Sequence, residues 1–126
     1  MTVVVDTSVL IDHLRGREEA RALLMTAVTS GERLVGSVLT RAEVLAGIRS
    51  GEEAGTHALL GVLDWVPVDA SLADAAGALA QRFLRSHQGI DTVDYIIAAT
   101  VERVGGRLLT RNVEHFPMID GLSAPY

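Results

Sequence analysis

The chain has 126 residues, the size of one folded unit, and its 48% hydrophobic and 21% charged content suits a filled core and excludes a disordered chain. It has no cysteine, which excludes a disulfide framework and a thiolate metal site. Net charge is −5 and all 11 basic residues are arginine, so a P-loop lysine and a Schiff-base lysine are both excluded.

Taken in order, Val3-Val4-Val5 is a β-branched run without a polar break. It predicts a buried, central, parallel strand. Asp6-Thr7-Ser8 is a helix-start signal, Val9, Leu10 and Leu14 share one helical face, and Gly16 ends it. Glu18–Thr29 predicts a second amphipathic helix closed by Ser30-Gly31. Arg33–Ser37 predicts the second strand, and Val38-Leu39-Thr40 leads into a helix with Val44, Leu45 and Ile48 as its apolar stripe. A further helix is expected over 52–63, then a short edge strand over 65–68, where Pro67 cannot donate to a ladder.

Asp69 or Ser71 caps an alanine-rich helix running to Arg85, and 86–89 form a loop. Residues 91–104 predict a buried helix with two carboxylates, Asp91 and Asp94, on one face of its first turn. Gly105-Gly106 ends it; 107–110 form a strand, Arg111-Asn112 open a loop, and one short strand is expected near Leu122. The alternation predicts a doubly wound α/β domain over 1–126, a three-layer α/β/α sandwich on a mostly parallel sheet of about four to five strands. No apolar run reaches membrane-spanning length, and Met1-Thr2-Val3-Val4-Val5-Asp6 lacks the basic flank of an export signal, so a cytoplasmic location is expected.

In an open parallel sheet, ligands bind in the crevice at the carboxyl ends of the strands. Asp6 and Asn112 follow strands there, and Glu43 and Asp94 open helices that face the same edge. Each acid alone also has a capping reading. Asp6 suits an N-cap, Thr40-Arg41-Ala42-Glu43 matches a capping box, and Asp91 with Asp94 does the same. Jointly, Asp6, Glu43 and Asp94 repel one another on partly buried ground, and no lysine exists to compensate. A hard divalent cation, Mg²⁺ or Mn²⁺, on oxygen ligands answers that charge.

Such a site suits phosphodiester hydrolysis. The acidic balance argues against a simple basic nucleic-acid binder, but an enzyme acting on nucleic acid stays open where cations offset the acids. Thr7 and Ser8 present hydroxyls or amides to a phosphate, with Asn112 and Thr110 as further supporting residues; Arg111 or Arg41 is a candidate clamp for it, against the commoner role of a solvated surface arginine. His13, His57, His87 and His115 lack partners at metal-ligand spacing and are expected in structural or surface roles, His115 lying near the proposed edge.

These segments resemble the PIN-domain ribonucleases, and specifically VapC-type toxins of bacterial type II toxin–antitoxin systems. The resemblance covers essentially the whole chain. It is carried by Val4-Val5-Asp6-Thr7-Ser8-Val9-Leu10-Ile11-Asp12, Thr40-Arg41-Ala42-Glu43-Val44-Leu45-Ala46-Gly47, Asp91-Thr92-Val93-Asp94-Tyr95-Ile96-Ile97-Ala98-Ala99-Thr100 and Leu109-Thr110-Arg111-Asn112-Val113-Glu114-His115-Phe116-Pro117, in that order. It implies a Mg²⁺- or Mn²⁺-dependent endoribonuclease with Asp6, Glu43 and Asp94 as the metal-binding core acids and Asp91 as an additional catalytic acid. It also implies a VapB-type antitoxin, and a homodimer or a dimer of dimers with that antitoxin. Mean hydropathy of +0.29 suits a buried interface. Relatives often have aspartate where Asn112 or His115 stands here.

Two other functions compete. A catalytically weak or silent PIN-like module that binds RNA or antitoxin is suggested by the substituted fourth acid. A phosphotransfer protein of similar topology needs an aspartate after a strand and a later lysine, and the chain has no lysine.

Overall fold

The computed structural model describes residues Met1–Tyr126. Its elements are β1 (Thr2–Val5), α1 (Thr7–Leu14), α2 (Glu18–Thr29), β2 (Arg33–Ser37), α3 (Val38–Ala46), α4 (Glu53–Leu60), β3 (Asp64–Val66), α5 (Ala70–Phe83), α6 (Thr92–Val104) and β4 (Arg107–Leu109). A single 3₁₀ turn covers Val113–His115. The four strands pair entirely in parallel, in the order β3-β2-β1-β4. The sequence expectation of a strand near Leu122 is not met. That segment carries no ladder and lies as irregular chain, with Met118, Ile119 and Leu122 packed onto the core from outside the sheet.

The β-branched run of β1 explains the layering. Side chains alternate along a strand. Val3 and Val5 enter one core with residues of α1, α2, α3 and α4, whereas Val4 enters the other with residues of α5 and α6. All three valines are fully buried, and each contributes about 1.5–3 kcal/mol relative to exposure. The chain passes from β1 outward through β2 to β3, then crosses by α5 and α6 to add β4 on the far side of β1. The strand order therefore reverses at β1, and a crevice opens beyond its carboxyl end.

Two helix starts follow the expected local chemistry, and that of α3 departs from it. Asp69 caps α5, accepting from Leu72 N at 2.8 Å. Asp91 and Asp94 form a reciprocal capping box at α6. Thr40 with Glu43 does not. Ser37 is the N-cap of α3, accepting from Leu39 N, because the helix begins directly where β2 ends. Thr40 is consequently buried one turn inside the helix, and Glu43 is left free for other partners.

The turn from α6 into β4 shows how tightly the layers fit. Gly105 closes α6 at φ +68°, the left-handed region that favours glycine. A Cβ on Gly106 would lie 2.6 Å from Thr2 O, backbone that cannot give way. Gly77, exposed in the middle of α5, has open space around it. Urea denaturation should therefore separate the two: Gly106→Ala lowers stability by about 1–3 kcal/mol, and Gly77→Ala raises it by about 0.5–1 kcal/mol.

Candidate functional site

A cleft of about 540 Å³ opens at the carboxyl ends of β1 and β4. Its walls include five carboxylates, Asp6, Asp12, Glu43, Asp91 and Asp94, together with Thr7, Ser8, Asn112, Arg111 and His115. Sequence reasoning thus brings Asp6, Glu43, Asp91, Asp94, Asn112, Thr7, Ser8 and Arg111 to one place. Thr110 lies directly beneath, fully buried.

Asp6 sits at the N-cap position of α1, yet its side chain caps nothing. The residue is only 8% exposed. Its Oδ2 accepts from Thr110 Oγ1 at 2.8 Å and from Ser8 Oγ at 3.3 Å. The two hydroxyls are themselves held, Ser8 Oγ accepting from Arg111 N and Thr110 Oγ1 from Asn112 N. The backbone after β4 is thereby laced to the end of β1, and Asp6 Oδ1 keeps no protein donor. A carboxylate satisfied on one oxygen by neutral hydroxyls retains an open acceptor on the other.

Asp94 is half-buried on the opposite wall. Its Oδ2 accepts from Asp91 N at 3.2 Å, and Asp91 Oδ1 accepts from Asp94 N at 3.1 Å. Burial pushes the Asp94 carboxyl above the ordinary carboxylate range, and the nearby charges of Asp91 and Asp6 push the same way against the opposing hydrogen bond from Asp91 and the pull of His115. His115 Nδ1 lies 3.4 Å from Asp94 Oδ2, so this histidine belongs to the cleft wall rather than to an unrelated surface.

Glu43 departs from the partly buried setting expected of it, for it is exposed; Asp91 is exposed as well. Glu43 is reached across the cleft by Thr7, whose hydroxyl donates to Oε1 at 2.7 Å. Arg41 departs further. Its guanidinium stacks over Trp65, 5.2 Å from the ring centroid, and it lines no part of the cleft. A flat apolar indole one strand away offers it a better seat than the acidic edge. One acidic cleft residue was missed from sequence as a functional candidate. Asp12 lines the wall one turn beyond Ser8 on α1, a spacing that helical arithmetic alone reveals, and it binds Tyr126 from the far end of the sequence.

The donor set is all hard oxygen at its core, which fits a divalent cation such as Mg²⁺ and not a softer metal. The carboxylates surround the cleft without closing a cage: no three of them, with or without His115, converge on one point. Asp6, Glu43 and Asp94 therefore share a cleft and not a single coordination sphere. That openness suits a cation which keeps several of its waters and takes one or two carboxylates directly.

The family model described as "PIN domain" matches residues 3–122. Ribonuclease VapC19 of Mycobacterium tuberculosis is 45% identical over 98% of both chains, and Ribonuclease VapC10 of the same organism is 39% identical over 98% of this chain and 92% of the relative. Among solved structures, a toxin–antitoxin complex from Klebsiella pneumoniae matches with a TM-score of 0.83 at 29% identity, covering 98% of each chain.

The Asp94 shift has a stability consequence. A carboxyl whose folded pKa is raised holds its proton more tightly folded than unfolded, so stability is lost as pH rises from the ordinary carboxylate range through the folded value. In metal-free buffer at pH near 7, Asp94→Asn should therefore melt above the wild type. The gap should close as pH falls toward the unfolded carboxylate range, about 4. Scanning calorimetry across pH checks this, and an equal or lower melting temperature for the variant at neutral pH contradicts it.

Proposed function

We propose, from the premise that this chain belongs to the PIN-domain family, that it is a divalent-cation-dependent endoribonuclease, the toxin half of a VapBC-type toxin–antitoxin pair. The observation that carries the proposal is the pairing of Asp6 and Asp94 on facing walls of one cleft, each with an oxygen that no protein donor occupies and with no lysine to offset them.

In this reading Asp6 and Asp94 hold the cation directly, Glu43 adds negative charge from the exposed wall, and Asp91 fixes Asp94 through the capping box. The bound cation supplies a more acidic water and a Lewis acid for the phosphoryl oxygen. Thr110 and Ser8 aim Asp6 by donating to its Oδ2. Thr7 holds Glu43 toward the cleft. Arg111 meets the phosphate from the rim, and Asn112 stands beside it with an amide in place of a further carboxylate. Each of these roles is one of binding or orientation, which suits a reaction whose difficulty is charge and alignment.

The partner in this reading is a VapB-type antitoxin. An apolar groove between α2 and α4, lined by Leu24, Met25, Val28, Leu59 and Val62, fits an amphipathic helix of such a protein. Met25 is 64% and Val62 54% exposed, apolar area that a lone chain leaves in water. Coexpression with the product of an adjacent reading frame should yield a stable complex that Val28→Asp disrupts; co-purification undiminished by that change rejects this groove.

The catalytic reading is tested by cleavage of RNA with Mg²⁺ or Mn²⁺. Asp6→Asn and Asp94→Asn should each lower kcat/KM by about 100-fold or more. Thr110→Val, which removes only the hydroxyl orienting Asp6, should cost about 10- to 100-fold. Cleavage that survives EDTA, or equal cleavage by the variants, removes the proposal. One observation favours a second reading, a catalytically silent binding module: the residue after β4 that lines the cleft is Asn112, an amide and not a carboxylate. Cation binding and RNA binding without any cleavage would select it.

A further inference from the structure

A second cluster sits on the rim of the cleft, apart from Asp6 and Asp94. Its centre is Asp12, half-buried on α1. One oxygen, Asp12 Oδ2, receives the phenol of Tyr126 at 2.6 Å and Arg111 Nη1 at 3.1 Å, with Arg17 Nη1 at 3.8 Å. Both guanidinium groups also flank the Tyr126 ring, Arg17 at 4.8 Å and Arg111 at 5.7 Å from its centroid. The ring itself packs against the core beneath α1, so it is a fixed platform and not a mobile tail. Burial and the Asp12 carboxylate push the phenol well above its ordinary range, which leaves it a neutral donor at any working pH.

Arg111 is therefore pinned twice. Its backbone N–H donates to Ser8 Oγ at 3.1 Å, and Ser8 donates to Asp6. Its guanidinium is held by Asp12 through one nitrogen, while Nη2 and Nε have no protein acceptor. Among the residues lining the cleft, Arg111 is the one arginine. The charges also divide by position. At the rim, Arg17 and Arg111 balance Asp12 and the exposed Glu19, which lies 3.6 Å from Arg17. The other cleft carboxylates, the more buried Asp6 and Asp94 and the exposed Glu43 and Asp91, have no arginine partner. A polyanion approaching the cleft finds compensated charge only at the rim.

We propose that Tyr126 is a positioning residue: through Asp12 it holds Arg111 over the cleft as the contact for an RNA phosphate neighbouring the scissile one. This rests on the ribonuclease reading above and names how that site engages its substrate. A guanidinium offers a planar fork that matches phosphate oxygens, and one already immobilised loses less rotamer freedom on binding. The plain structural alternative is that Tyr126 only ties residues 117–126 to α1.

The test is cleavage of an RNA oligonucleotide by the full chain, with KM and kcat measured separately between about 50 and 200 mM salt. Tyr126→Phe keeps the ring and removes the donor; Tyr126→Ala removes both; Arg111→Ala removes the contact itself. Tyr126→Phe should raise KM about 3- to 10-fold, the loss of one hydrogen bond's ordering effect, with kcat held within about twofold. Arg111→Ala should raise KM at least as much and reduce the slope of log KM against log salt by about 0.7, the value for one contact on a single strand. Tyr126→Ala should reduce that slope too, but should add nothing once Arg111 is alanine. The inference is overturned if the Tyr126 variants leave KM and salt slope at wild-type values while only the melting temperature falls, or if their effects on KM persist undiminished in the Arg111→Ala background. A wild type that cleaves while Tyr126 and Arg111 act additively rejects this inference alone. A wild type that cleaves no RNA rejects the ribonuclease reading and this inference with it.

Discussion

Asp6 is a carboxylate residue held at 8% exposure with two hydroxyls, not a cation, as its side-chain partners. Burying an ion without a counter-charge costs several kcal/mol, and hydrogen bonds from neutral groups recover only part of that. The fold nonetheless holds it in place. β1 is an inner strand, flanked by β2 and β4 and clad on both faces by helices, so the residue that follows it has no freedom to turn toward solvent. The Asp6 N–H continues the ladder to Leu109 O at 2.9 Å, which fixes the backbone one residue past the strand. Around this point the remaining cleft is arranged: β4 delivers Thr110, α1 delivers Thr7, Ser8 and Asp12, and α6 delivers Asp94 from the opposite wall.

Charge then explains the spacing of the walls. Like charges on partly buried ground separate or protonate. Here Glu43 is on the exposed side of the cleft, hydrogen-bonded by Thr7, and Asp94 takes up its proton more readily than an ordinary carboxylate. With no lysine in the chain and Arg111 already paired to Asp12, the floor has no internal cation to relax onto. On the proposed reading, that uncompensated floor is what a hydrated divalent ion occupies, and the balanced rim is where the nucleic-acid backbone rests. On the same reading, the features that cost stability are the ones the chemistry uses.

Much of this was legible in the sequence because it is local or periodic. The valine run announces a central parallel strand, the alternation of elements announces the layers, and acids at element starts fall on one edge of the sheet by topology alone. What was not legible depends on contacts between distant parts of the chain. Whether Ser37 or Thr40 caps α3 turns on how abruptly β2 ends, and that decision frees Glu43. Arg41 was expected near the cleft, but Trp65 on the neighbouring strand captures it. The Asp12–Tyr126 bond joins residues 114 apart, beyond the reach of any spacing rule. The segment near Leu122 has apolar residues fit for a strand, yet it covers the core as irregular chain.

The reading of the cleft as a cation site centred on Asp6 is tested most directly by calorimetric titration of Mn²⁺ into the metal-free chain and into Asp6→Asn, with both shown to be folded beforehand. Saturable binding to the wild type, displaced by Mg²⁺ and lost in Asp6→Asn, is the predicted result. Equal binding by the two proteins, or none by either, would contradict it.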